Sequence, residues 1–183
     1  MVKHLTKEEL EAGLDDIRQS PDEEGTLELI VRRPRTLGRE VLTHGELDTT
    51  EGLVGDNWKT RGSTMTSDRS SHPDMQINII NSRAISLIAT DKTRWPLAGD
   101  QLYVDLDLSD SNLPAGTRLQ AGTSVLEVTD VPHTGCKKFV ERFGLDAMKF
   151  VNSVEGRAMN LRGINVRVVE SGVVGTGDVI KKI

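Results

Sequence analysis

Thr117-Arg118-Leu119-Gln120-Ala121-Gly122-Thr123-Ser124-Val125-Leu126-Glu127-Val128-Thr129-Asp130-Val131 reads as a strand, a glycine turn and a second strand. Its β-branched residues favour a pleated, half-buried surface, and Ala121-Gly122 supplies the break between the two runs. The same grammar extends in both directions. Upstream, Gly99-Asp100 precedes a strand at Leu102–Asp105, and Ala115-Gly116 separates that strand from Thr117. Gln76–Ile80 reads as a buried strand and Ser82–Ala89 as a short helix. Further back, Leu27, Leu29 and Val31 alternate with Glu28, Ile30 and Arg32 until Pro34 ends the run, and Arg39–Thr43 is a second short strand. Downstream, Ile164–Val169 and Asp178–Ile180 are strands, and Gly172-Val173-Val174-Gly175-Thr176-Gly177 reads as a turn. Many short strands punctuated by glycine, with few helices, predict a β-barrel: mainly β, α+β by content, with a few peripheral helices.

The N-terminus carries a separate signal. Thr6-Lys7-Glu8-Glu9 is a capping box, Leu5 and Leu10 form a hydrophobic staple, and Leu10, Leu14 and Ile17 share one helical face. Residues 1–25 are therefore expected to be a helical extension, and residues 26–183 one domain. The polar stretch Thr60–Asp74 lacks periodicity and is expected to be a long loop, of the kind that covers a site.

The formal net charge of -5 argues against general affinity for nucleic acid or anionic membranes, and aromatics at 3% leave few stacking platforms for single strands. No apolar run approaches the roughly 18 residues that span a bilayer. A single cysteine in 183 residues excludes an internal disulfide framework and fits a reducing compartment, so a cytoplasmic location is expected. Charge is uneven, however. Residues 132–183 hold nine Lys and Arg against five acids, and Arg32, Arg33, Arg35 and Arg39 cluster at a strand exit. Such clusters hold a phosphate or serve as solubility devices at a sheet edge.

The lone cysteine, Cys136, lies in Pro132-His133-Thr134-Gly135-Cys136-Lys137-Lys138-Phe139, where a β-branched run stops and a helical pattern begins. A helix N-terminus and flanking cations favour the thiolate. Two readings stand at this point: a small buried hydrophobe, the commoner fate of free cysteines, or a reactive thiol. Neither a phosphate loop nor a correctly ordered dinucleotide fingerprint is present. Zinc would need more closely spaced partners for His133 and Cys136 than His44 or His72 supply. A cysteine and histidine dyad with either of those histidines has no positive signal.

Several pieces in order around that cysteine resemble the landmarks of MOSC domains, named after the C-terminal domain of molybdenum-cofactor sulfurases. They are Gly52-Leu53-Val54-Gly55-Asp56, Gln76-Ile77-Asn78-Ile79-Ile80, Gly99-Asp100-Gln101-Leu102, Leu113-Pro114-Ala115-Gly116-Thr117-Arg118-Leu119 with Val125-Leu126-Glu127-Val128-Thr129, Cys136, and Arg162-Gly163-Ile164. Gly99-Asp100-Gln101 is nearer the Gly-Glu-Asn form of small stand-alone bacterial members than the Arg-x-Asn of many cofactor-binding ones, and Gly135 stands where Arg or Pro often precedes the cysteine.

The resemblance implies a barrel, and it implies molybdenum-cofactor (molybdopterin) binding with Cys136 as catalytic group and molybdenum ligand. Around the cofactor it implies Arg32, Arg33, His133, Thr134, Gly135, Lys137 and Arg162. Soft thiolates suit such a centre. The implied activity is reduction of N-hydroxylated compounds, with an electron-donor protein as partner and His133 or Lys137 delivering protons. The alternatives are a persulfide carrier or cofactor-delivery module served by a separate cysteine desulfurase, and a β-barrel binding domain with a buried structural cysteine. Full sulfurases also carry a pyridoxal-phosphate domain, for which 183 residues leave no room. A small-molecule cofactor or substrate is thus the expected ligand, with no nucleic acid or membrane partner.

Overall fold

The computed structural model describes residues 4–183. In chain order the elements are α1 (Lys7–Ala12), α2 (Leu14–Arg18), β1 (Glu24–Arg32), β2 (Glu40–Leu42), β3 (His44–Asp48), β4 (Gly52–Leu53), α3 (Trp58–Arg61), β5 (Ile77–Asn81), α4 (Ser82–Ala89), β6 (Leu102–Asp105), β7 (Arg118–Ala121) and β8 (Ser124–Val128). Then follow α5 (Lys137–Phe143), α6 (Leu145–Asn152), α7 (Val154–Ala158), β9 (Ile164–Glu170), β10 (Gly172–Gly175) and β11 (Val179–Lys182), with 3-10 helices at Pro73–Met75 and Lys92–Ala98.

Seven strands close a barrel in the order β11, β7, β8, β9, β5, β6, β1, and β1 pairs back to β11; β2 is added outside, on β1. The hairpin of β7 and β8 that opened the sequence reading is one wall, with Leu119 opposite Leu126. Among the described residues only β5 and β6 pair in parallel, and α4 with the Lys92–Ala98 3-10 helix supplies the crossover that a parallel pair requires. Closure depends on Gly25, because a Cβ there would lie 1.8 Å from the Asp105 carbonyl oxygen of β6.

Two apolar layers result. Leu27, Ile30, Ile79, Leu102, Val104, Leu126 and Val166 fill the barrel. Outside it, Leu10, Leu14, Ile85, Phe139, Phe143 and Phe150 from the helices pack on Val31, Ile80 and Tyr103, which point outward from their strands. Each large side chain so buried contributes about 1.5–3 kcal/mol. Tyr103 keeps its polar tip satisfied by donating to the Trp95 carbonyl at 3.0 Å. The N-terminal capping box is present, and its helix docks on this outer layer through Leu10.

Two features differ from the sequence reading. A register shift between Leu27 and Leu29 breaks the simple alternation of β1, so Leu27 and Ile30 face inward while Leu29 and Val31 join the helical layer. Gly172–Gly175 is a strand, antiparallel to β3, rather than a turn. Gly172 is required there because a Cβ would meet the Thr123 and Ser124 backbone at 2.6 Å. Helix and strand contents are about equal, in keeping with the barrel and peripheral helices, α+β by content, expected from the sequence. The α-helices are short, from four to eight residues.

Candidate functional site

The site is built on the connection between β8 and α5. The strand ends at Val128, and the chain then runs through Thr129–Gly135 to Cys136, whose extended backbone (φ -124°, ψ 179°) caps α5. Asn152, at the end of α6, fixes the residue before the cysteine: its Oδ1 accepts from the Gly135 N–H at 2.9 Å and its Nδ2 donates to the Gly135 carbonyl at 3.1 Å. Glycine suits this position, since a Cβ would approach Val151 Cγ2 to 3.0 Å and both Asn152 Nδ2 and Met148 Cγ to 3.3 Å. Cys136 itself is a free thiol and exposed, which removes the buried structural cysteine from the alternatives.

Beneath it lie two buried ion pairs. Arg33, just past β1, donates from Nε and NH2 to the two oxygens of Asp56, both at 2.9 Å, and its backbone N–H reaches Asp56 Oδ2 at 2.8 Å. Its remaining nitrogen, NH1, donates to the Gly99 carbonyl at 2.9 Å and to Asn78 Oδ1 at 3.3 Å. Arg162 donates from NH1 to both oxygens of Asp100, at 2.9 and 2.8 Å, and from NH2 to the Ala98 carbonyl at 3.0 Å. Its guanidinium lies 5.0 Å over the Phe139 ring. Burial pushes the Asp100 carboxyl up from its ordinary range, and the Arg162 guanidinium opposes that shift.

These pairs are tied to the barrel by a polar network that the landmark residues supply. Asn78 donates to Asn165 Oδ1 at 2.6 Å, Asn165 donates to the Val131 carbonyl at 2.9 Å, and Gln101 accepts the Asn78 N–H at 2.8 Å. Buried amides of this kind are tolerated because they are paired.

Cys136 opens onto a cavity of about 250 Å³. Its wall carries seven cations, Arg33, Arg35, Arg39, Arg61, Lys138, Arg142 and Arg162, and no acidic side chain. Arg33 and Arg162 are neutralised from beneath by Asp56 and Asp100. Arg39 and Arg142 reach only backbone carbonyls, those of Pro96 and Gly38 for the first and of Leu97 for the second. Arg35, Arg61 and Lys138 have no ion-pair partner among the described residues. Burial, then the nearby charges of Arg142 and Arg33, depress the pKa of Arg39. Mutually repelling guanidinium groups around a concavity favour an anion there.

His133 stands beside this pocket. Its Nδ1 is buried and lies 3.5 Å from Asp100 Oδ1, beyond ordinary hydrogen-bond length. Burial, followed by Arg162 and Arg33, lowers its pKa well below the usual imidazole value, so the ring is neutral at neutral pH. Both His133 and Arg162 also line a second cavity of about 480 Å³ on the other side of the same connection.

Of the sequence candidates, Arg33, His133, Cys136 and Arg162 meet around the basic cavity. Thr134 lines the second cavity, and Gly135 sits behind the cysteine under Asn152. Arg32 turns away to pair with Glu40 at 2.7 Å, and Lys137 lies outside both cavities, while Lys138 takes its place in the wall. Residues 62–74 line neither cavity; Asn57, Arg61 and Met75, at the two ends of the loop, line the basic one. His44 and His72 are elsewhere, and the His72 Nδ1 accepts the Asp74 N–H. Among the described residues no group of three or more His, Cys, Asp and Glu side chains is arranged to hold a metal ion.

Asp56, Asp100, Arg61 and Arg142 complete the site without having been singled out as site residues. The first two lie within quoted landmarks, Gly52–Asp56 and Gly99–Leu102, but a carboxylate reads as a turn residue until its arginine partner is known. Arg61 sits on α3, far from Cys136 in sequence, and Arg142 lies in the last turn of the helix that Cys136 caps, where a basic residue reads as an ordinary helix-end charge.

Among the described residues no helix is long and apolar enough to cross a membrane. The fold is similar to several solved structures. YuaD from Bacillus subtilis superposes with TM-score 0.65 at 16% identity, over 87% of this chain and 95% of that one. YiiM from Escherichia coli gives 0.56 at 16% identity, over 86% and 69%. YiiM from Geobacillus stearothermophilus gives 0.53 at 13% identity, over 90% and 74%. No curated protein matches the chain. The family model of the MOSC domain matches residues 66–181, a span holding β5 to β9, Cys136 and most of β11, and the chain therefore belongs to the MOSC domain family.

Proposed function

We propose that this protein binds the molybdenum cofactor, with Cys136 as the protein ligand to molybdenum. The observation that carries this reading is the placement of the single exposed thiol at the edge of a cavity walled by seven cations and no acid. The residues fit the group. Its phosphate and its anionic metal centre call for cations and hydrogen-bond donors, and a soft thiolate suits the metal. Arg39, Arg61, Arg142 and Lys138 would hold the phosphate, while Arg33 and Arg162, locked by their buried carboxylates, keep the floor rigid. When bound, the cofactor supplies a two-electron redox centre. The chain's own residues orient it, and His133 presents a neutral imidazole beside it. Reduction of N-hydroxylated small molecules, with electrons from a separate donor protein, is the reaction this reading assigns. Molybdenum and pterin are assayed in protein purified without oxygen. Content that is stoichiometric in wild type and clearly lowered in Cys136→Ser supports the reading, and equal content in both overturns it.

The exposure of Cys136 also favours a second reading, a carrier that accepts sulfur from a cysteine desulfurase as a persulfide. Mass spectrometry after incubation with a desulfurase and cysteine then shows one added sulfur on Cys136, and none in Cys136→Ser.

A further inference from the structure

The two cavities on either side of the Thr129–Cys136 connection differ in character. The basic one has been assigned above. The other, of about 480 Å³, falls within the size range of small-molecule sites and lies between the two apolar layers: Leu113, Val128 and Ile164 come from the barrel, Val151 from the helices. Most polar side chains in its wall are already engaged. Thr129 donates to the Asp74 carbonyl, Asn165 to the Val131 carbonyl, and Asn160 to the Leu108 carbonyl and Asp110. Its uncompensated charges are the exposed Asp110, Asp130 and Arg157, because Arg162 is matched by the buried Asp100. The wall is thus slightly acidic, where its neighbour holds seven cations and no acid. His133 and Arg162 are the two residues that line both.

We infer that the larger cavity is the organic-substrate pocket, taking a small molecule with an apolar body that is neutral or singly cationic, and that His133 is where this molecule meets the cofactor side. The inference rests on the cofactor reading of the basic cavity for its word substrate, and on charge and shape for the ligand class. An apolar body removes Leu113, Val128, Val151 and Ile164 from water. An anion is disfavoured by Asp110 and Asp130 and drawn instead to the arginine-lined side.

The test uses NMR titration of the whole isotope-labelled protein with benzamide, benzylammonium and benzoate, and separately with inorganic phosphate. Benzamide and benzylammonium are expected to shift the resonances of Val131, Thr134, Val151 and Ile164 and to bind at least tenfold more tightly there than benzoate. Filling the cavity mouth at the exposed Ala115 (Ala115→Trp), or its wall with Val131→Phe, is expected to weaken both at least tenfold. Phosphate shifts at Arg39 and Arg142, and the molybdenum content, are expected to stay unchanged in Ala115→Trp. Shifts confined to the arginine cavity, equal affinity for benzoate, or binding indifferent to both substitutions overturns the inference. Equal molybdenum content in wild type and Cys136→Ser overturns the cofactor reading alone, so the two fail separately.

Discussion

His133 Nδ1 lies 3.5 Å from Oδ1 of Asp100, a carboxylate with no exposed side-chain surface that Arg162 holds through two contacts. Burial, then the charges of Arg162 and Arg33, keeps the imidazole neutral. Lowering the pKa of a histidine in the folded state gives the unfolded chain the greater proton affinity. Stability from this group is therefore full above the unfolded value of about 6.5 and is lost as pH falls below it. Urea unfolding is expected to show stability declining from about pH 7 to pH 5 in wild type and a shallower decline in His133→Gln. Parallel slopes in the two proteins would contradict the account; Asp100, Arg162 and Arg33 are common to both.

Breaking either buried pair exposes its cost. Asp100→Ala leaves Arg162 without its carboxylate, and Asp56→Ala does the same to Arg33 while also freeing the Arg33 and Trp58 backbone N–H groups. Each substitution is expected to lower unfolding free energy by about 3–5 kcal/mol. Denaturant titration measures this, and a loss below about 1 kcal/mol, as for a surface pair, would show that the pair is not buried in solution.

Asn152 is the clasp behind the cysteine. Asn152→Ala removes both side-chain bonds to Gly135 and is expected to cost about 1–3 kcal/mol, and Gly135→Val about as much through overpacking against Val151 and Met148. Because Cys136 is already exposed, iodoacetamide should label it in the native wild-type protein without prior unfolding. Strong protection in the native state would place the thiol in the interior instead.

The basic cavity makes a salt-dependent prediction. Inorganic phosphate is expected to bind at low ionic strength and to weaken as salt rises. Arg39→Gln and Arg142→Gln should each reduce that affinity by about tenfold or more, since one charge-assisted bond is worth about 1.5–3 kcal/mol. Calorimetric titration reads the effect. Arg32→Gln, whose side chain is paired with Glu40 outside the cavity, is the control and should leave phosphate binding unchanged.

How far the sequence discloses this arrangement depends on the range of each interaction. The β7 and β8 hairpin, the α4 helix and the capping box are legible because their causes lie within a few residues. The register shift in β1 is not, since it answers to β6, far along the chain. Cys136 is legible as a unique thiol between a strand and a helix, and Arg33 as part of a basic cluster. The partners that lock the site, Asp56 for Arg33 and Asp100 for Arg162, are brought in over sequence separations of 23 and 62 residues, and no local pattern announces them. Lys137 and Lys138 look interchangeable in sequence; the start of α5 turns Lys138 into the cavity and leaves Lys137 outside.

The most direct measurement of the central claim is X-ray absorption at the molybdenum edge on protein loaded with the cofactor. Cys136 as metal ligand predicts one more sulfur scatterer around molybdenum in wild type than in Cys136→Ser. The same sulfur count in both proteins, with the metal retained, would contradict it.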